Sequence, residues 1–410
     1  MASGLRAKLN AIKTSPPSAP QRRAGGIICR VSREPLDAEA FRLSATGLRR
    51  IGWCGERFDI RRCLFLDTET TGLSGGAGTV AFLVGVGFVE GDELVIEQYM
   101  LREYADEPEL IERLSARMSG FESVCTFNGR NFDMPLLESR FTMCRMRDHW
   151  RALENLDLLY PARRAWKLRL GSCRLSRIET EILGMAREND LPGSEVPARF
   201  FQFLKTGQED LLADIVRHNR QDISTLAILL VRLCQINAAP EALTDQRDQY
   251  SMGKALERQG ELKPAWEMYR ISAKPRPAGT LAALTGERIS GMANWRLYLL
   301  CRKSGDWDGA RDVLAQMLNR RQMTGAVCTE LAKLYEHRFR DYPRALEYAR
   351  QSADSPGGEP PEQLEKRIAR IYGKMNQCTE AENGIIRHSE IGDQRKQSLP
   401  HPCGREQTCK

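Results

Sequence analysis

Leu64-Phe65-Leu66-Asp67-Thr68-Glu69-Thr70-Thr71-Gly72 is the stretch from which the fold is read. An apolar run, Cys63 to Leu66, delivers two carboxylates, Asp67 and Glu69, at i and i+2. Alternate residues of a strand share a face, so both acids project together. A run that is apolar on both faces reads as a buried central strand. Acids at its end repel each other and lose hydration unless a cation stands between them. A divalent metal meets that need, and oxygen-only ligands favour Mg2+ or Mn2+. The same pattern arises where a strand merely closes at the surface, and this stretch alone leaves both readings open.

The chain has 410 residues, room for roughly two to three domains. It is 41% apolar and 28% charged, as expected of a soluble globular protein, with no apolar run that would span a bilayer. No apolar segment follows the basic first residues, so no signal peptide is expected. A net charge of +7 permits nucleic-acid binding without demanding it. The twelve cysteines form no C-x-x-C pair and read as reduced thiols of a cytoplasmic protein.

Residues 1–35 are rich in Pro, Ser, Ala and basic residues, which predicts a disordered basic N-terminus. After the first strand comes a Gly-rich turn, Ser74 to Gly78. Val80 to Val89 and Leu94 to Leu101 read as strands joined at Glu90-Gly91-Asp92. A helix from Asp106 to about Met118, a short strand Ser123 to Phe127 and a helix from Asp133 follow. Three antiparallel strands, then helix, strand and helix, predict an α/β domain with a mixed sheet and flanking helices. Pro161 to Arg177 carries Arg163, Arg164, Lys167, Arg169, Arg174 and Arg177 around Trp166, with no acid. It reads either as a phosphate-tracking surface for DNA or RNA or as a solvated face with Trp166 in the core. Val196 to Leu204 is a short helix and Asp210 to Ile236 a long one; a linker near Ala238-Ala239-Pro240 closes the domain.

Beyond it the pattern is helical only. Gly260-Glu261 precedes Ala265, Gly305-Asp306 precedes Ala310, and Arg340-Asp341 precedes Ala345; a weaker echo sets Ala381 after Asn376. The alanines are 45, 35 and 36 residues apart, near the tetratricopeptide period, with an insertion around Pro275 to Thr285. Residues 245–382 therefore read as tetratricopeptide-like helical repeats, or as an irregular helical bundle. Such repeats usually bind another protein chain. Residues 383–410 read as a disordered polar tail.

Two further acids draw attention. Asp133, in Phe127-Asn128-Gly129-Arg130-Asn131-Phe132-Asp133, opens a helix, where an aspartate can cap, reach a metal-bound water, or both. In the long helix Leu211, Ile215, Leu226, Leu229 and Leu233 form a stripe, and His218 and Asp222 fill its gap at i and i+4. A buried aspartate and imidazole need partners. They either satisfy each other or join the other acids around a metal, and four acids converging on one sheet end favour the metal. Asp157 is an extra acid near the sheet edge, read as structural.

With these residues in place, the sequence resembles the DnaQ-like, or DEDD, exonuclease superfamily of the ribonuclease H-like fold, and within it the YprB-type proteins. The resemblance covers residues 60–237, through Phe65 to Leu73, Phe127-Asn128 to Phe132-Asp133, and His218-Asn219-Arg220-Gln221-Asp222. It implies a 3′–5′ exonuclease in which Asp67, Glu69, Asp133 and Asp222 hold two divalent metals, Mg2+ or Mn2+. One metal would activate water and the other would stabilise the leaving oxygen. His218 would orient or deprotonate the attacking water. Thr70 and Asn128 would contact the substrate, and Leu73 would wedge against a base. In the family's histidine branch His and Asp stand five apart, and in the tyrosine branch Tyr and Asp stand four apart. Here a histidine occupies the tyrosine spacing, which leaves its role as base open. The rival expectation is a nucleic-acid-binding scaffold with little or no catalysis.

Overall fold

The computed structural model describes residues 26–36, 41–55, 57–72, 78–146, 153–185, 187, 191–275 and 281–396. The chain divides into two compact units, Met1–Ala242 and Leu243–Lys410.

The first unit is a mixed six-stranded sheet with helices on both faces. Its strands are β1 (Ile28–Pro35), β2 (Cys63–Thr70), β3 (Ala81–Glu90), β4 (Glu93–Met100), β5 (Ser123–Thr126) and β6 (Glu154–Asp157), in spatial order β1-β4-β3-β2-β5-β6. β1, β4, β3 and β2 are antiparallel neighbours, while β5 and β6 add in parallel. Its helices are α1 (Ala45–Ile51), α2 (Glu107–Met118), α3 (Asp133–Met143), α4 (Leu159–Leu170), α5 (Leu175–Ile178), α6 (Val196–Thr206) and α7 (Ala213–Ala238).

β2 is central because its apolar residues are covered on both sides; Cys63, Leu64 and Phe65 are fully buried. Leu64, Leu66, Phe82, Val84 and Val86 share a core with Leu110, Ile111 and Leu114 of α2 and Phe200 of α6. Phe200 stacks on Phe82 with ring centroids 4.1 Å apart. The alternate residues of β2 and β3 face α7, where Ile223 lies over Gly87 beside Phe65. β2 ends in a register shift at Glu69/Thr70, and Thr71 N–H then bonds to Val80 O.

One expectation for this unit is corrected. Ile28–Pro35, placed by composition in a disordered N-terminus, is an edge strand paired with β4 from Ile28↔Met100 to Pro35↔Glu93. The open edge of β4 supplies its backbone partners, and Arg33 bonds both Glu90 and Glu93 beside the hairpin turn. Glu154–Asp157 is likewise a strand, too short and too polar to register as one.

The second unit is helical: α8 (Gln246–Arg258), α9 (Leu262–Ser272), α10 (Leu281–Ser304), α11 (Trp307–Asn319), α12 (Thr324–Leu334), α13 (Tyr342–Ala353) and α14 (Pro361–Lys396), each packed on the next. Gly260, Gly305 and Arg340 take positive φ at three of the turns. Ala265, Ala310 and Ala345, all fully buried, follow on the helices those turns introduce. The fourth echo has no such turn, because Ala381 falls inside α14. That helix runs to Lys396, so 383–396 is helical backbone where a disordered tail was expected. Its Glu, Lys, Arg and Gln residues are good helix formers despite their polarity. The expected insertion is only partly described, since 276–280 lie outside the described residues.

Candidate active site

The carboxylate end of β2 carries the first two acids. Asp67 and Glu69 are half-buried on the α7 face, and Thr68 between them faces the other way. Asp133 begins α3 and is 5% exposed. The residue before it, Phe132, holds the N-cap position, and Asp133 Oδ1 accepts from Thr68 Oγ1 at 2.6 Å. Asp222 and His218 come from α7, with His218 Nε2 3.3 Å from Asp222 Oδ2. Motif three thus reaches β2 from one face of the sheet, while Asp133 is held through the residue of the other face.

The acids sense one another. Burial pushes the Asp67 carboxyl well above the usual carboxylate range, and the charges of Asp222, Asp133 and Glu69 push it further, against a hydrogen bond from Asn219. Burial raises Glu69 to about 7; His218 opposes the rise, and Asp222 and Asp133 add to it. Burial raises Asp133 to about 6, against the hydrogen bond from Thr68. Burial alone would lower His218, but its hydrogen bond and attraction to Asp222 carry it above its ordinary value.

Asp222 and Asp67 are also held by donors from the chain. Arg187 ion-pairs with Asp222 and with the fully buried Glu179, and its Nη1 lies 3.0 Å from His218 Nδ1. Thr225 of α7 donates to Glu179. Asn219 Nδ2 donates to Asp67 Oδ2 at 2.9 Å. Among the described residues, no three His, Cys, Asp or Glu side chains close on one metal position.

The expected substrate contacts fare unevenly. Thr70 is buried, and its Oγ1 donates to Gly72 O at 2.7 Å. Leu73 lies outside the described residues. Asn128 adopts φ 68° in the turn after β5, where its N–H bonds Asp157 Oδ1 at 2.8 Å. Asp157 also accepts from the N–H groups of Arg130 and Leu159, so it clamps the turn that leads to Asp133. Trp166 is core at 1% exposed. Arg164 donates to Ile51 O and Arg50 O at the end of α1, and Lys167 caps its own helix at Gly171 O. Arg163 is exposed.

Arg187, Glu179, Gln98 and Asn219 were not singled out in the sequence. Asn219 lies within the third motif and could have been; Arg187 stands in a stretch without periodicity and carries no local signal.

A family model described as RNase_H superfamily matches residues 64–234. The uncharacterized protein YprB of Bacillus subtilis (strain 168) is 31% identical over 321 residues, covering 76% of this chain and 75% of that protein. Among solved structures, the family B DNA polymerase from the hyperthermophilic archaeon Pyrobaculum calidifontis aligns over 51% of this chain at 16% identity and TM-score 0.36. The match spans 30% of that polymerase's length. BtubC (BKLC) from P. vanneervenii aligns over 62% of this chain and 96% of its own at 15% identity and TM-score 0.27.

Proposed function

The chain belongs to the RNase H superfamily, and on that premise we propose that it is a metal-dependent nuclease that removes nucleotides from the 3′ end of DNA or RNA. The observation that carries this reading is the gathering of Asp67, Glu69, Asp133 and Asp222 at one end of β2, where burial above all holds the first three above the usual carboxylate range. Acids gathered where burial raises their proton affinity mark a site that can take added positive charge. The donor set fits hard divalent cations, Mg2+ or Mn2+, which would be held by these four carboxylates. When bound, such ions lower the pKa of water and stabilise charge on phosphate oxygens. The remaining work falls to the chain itself. His218, raised above its ordinary value by the Asp222 carboxylate beside it, would orient or deprotonate the attacking water. Asp157 holds the Asn128 turn, and with it the start of α3 that presents Asp133. The exposed Arg163 tracks phosphate. The repeats of 245–382 would dock a protein partner, a reading supported by the three matched turns and buried alanines.

A second reading, a nucleic-acid-binding scaffold, is favoured by Arg187, which already neutralises Asp222. The deciding experiment is digestion of 3′- and 5′-labelled DNA and RNA strands with Mg2+, Mn2+ or chelator. Mononucleotide release from the 3′ label, lost with chelator and with Asp67→Ala, is the expected result. Equal inertness of wild type and variant on every substrate, overhanging duplexes included, would favour the scaffold.

A further inference from the structure

Asp67 on β2, Gly85 on β3 and Gln98 on β4 form one row across the sheet, since Asp67 pairs with Gly85 and Gly85 with Gln98. Asn219 of α7, fully buried, lies over the middle of that row. Its Nδ2 donates to Asp67 Oδ2 at 2.9 Å and is 3.3 Å from the Asp67 main-chain oxygen. Its Oδ1 accepts from Gln98 Nε2 at 2.8 Å, and Gln98 Nε2 also donates to Val216 O at 2.8 Å.

These bonds fix the sense of the Asn219 amide. A flipped amide would set its oxygen against the Asp67 carboxylate and its NH2 against the NH2 of Gln98. The strand beneath is notched to admit it. A Cβ at Gly85 would stand 2.2 Å from Asn219 Oδ1, and a Cβ at Gly87 would stand 2.4 Å from Ile223 Cγ2, one helical turn on. Asp67 Oδ1 has no hydrogen-bond partner among the described residues, so the network grips one carboxylate oxygen and leaves the other to the site.

We propose that Asn219, locked by Gln98 and admitted by Gly85, is a positioning residue that holds the Asp67 carboxylate in one orientation and keys the His218–Asp222 helix to the strand of Asp67. The consequence for turnover rests on the nuclease reading; the positioning itself does not.

The test compares wild type with Asn219→Ala, Gln98→Met, Asp67→Ala and the Asp67→Ala/Asn219→Ala double variant. Turnover, substrate KM, calorimetric Mn2+ affinity and melting are followed for each. Loss of an outer partner of a metal ligand costs roughly 10–100-fold in affinity or activity. Asn219→Ala is expected to lower kcat and Mn2+ affinity within that range while leaving KM near wild type. Gln98→Met frees the amide to flip and produces a smaller loss in the same direction. A merely structural Asn219 would lower the melting temperature and leave kcat and Mn2+ affinity of the folded protein unchanged. That result overturns the proposal. If Asn219→Ala does not fold, Gln98→Met decides by the same criteria. If wild type itself is inert, the nuclease reading fails and the melting cycle decides the positioning. Non-additive shifts for Asp67→Ala and Asn219→Ala support it, and additive shifts overturn it.

Discussion

Two groups of buried acids, one in each unit, are treated in opposite ways. At the end of β2 Asp67, Glu69 and Asp133 are held above their ordinary protonation range by burial first, with neighbouring carboxylates adding to the rise. In the second unit Glu336, fully buried, is ringed by Arg367, Arg370 and Lys374. Burial pushes Glu336 up, but the bonds from Arg370 and Lys374 outweigh it and hold it at about 2. A carboxylate satisfied by its own chain serves the fold. Carboxylates that burial holds above their ordinary range, without a matching ring of cations, are kept for something that arrives from outside. The comparison is blurred at one point, Arg187, a cation placed among the site acids.

The sharpest break between the two clusters is in activity. Asp67→Ala should abolish nuclease turnover, by roughly a thousandfold or more in labelled-strand assays, with melting little affected or raised. Glu336→Ala should leave turnover intact but strand several buried cations. A loss of about 3 kcal/mol in urea titration is expected.

The clusters should also give opposite slopes of stability with pH. Glu69 and Asp133 titrate higher folded than unfolded, so their contribution is present below about pH 4 and lost as pH rises through 6 to 7. Without metal, stability should fall by roughly 4 kcal/mol between pH 5 and 8 in chemical denaturation, and saturating Mn2+ should flatten the slope. Glu336 titrates lower folded than unfolded, so its contribution is present above about pH 4.5 and lost as pH falls toward 2. Glu336→Gln should remove that acid-side loss alone.

A smaller effect tests Arg187. In a Glu179→Gln background, which avoids stranding the Glu179 charge, Arg187→Met should tighten Mn2+ binding severalfold in calorimetry by releasing Asp222. Unchanged affinity would mean that Arg187 does not compete for that acid. Least of all, Lys366→Ala breaks an exposed pair with Glu362 and should move the melting temperature by under about 1 °C.

Much of this is legible in the sequence alone. Period-two alternation put Asp67 and Glu69 on one face, and the gap in an apolar stripe put His218 and Asp222 on another. The turn-and-alanine echo located three helical hairpins, since a left-handed turn and a small buried residue are local demands. β1 was hidden because an edge strand with one open side needs little hydrophobicity, so its basic composition read as disorder. The fourth echo at Ala381 misled because spacing without a turn residue is not a hairpin.

The sequence by itself determined which acids exist, on which elements they ride and which way those elements face. Periodicity is a property of the chain alone, so it can be read without a partner. Only the tertiary structure decided what each acid touches. Arg187 meets Asp222 across 35 positions, Thr68 meets Asp133 across 65, and Asn219 meets Asp67 across 152. Such contacts are set by how strands and helices pack, and no local pattern encodes a partner that distant.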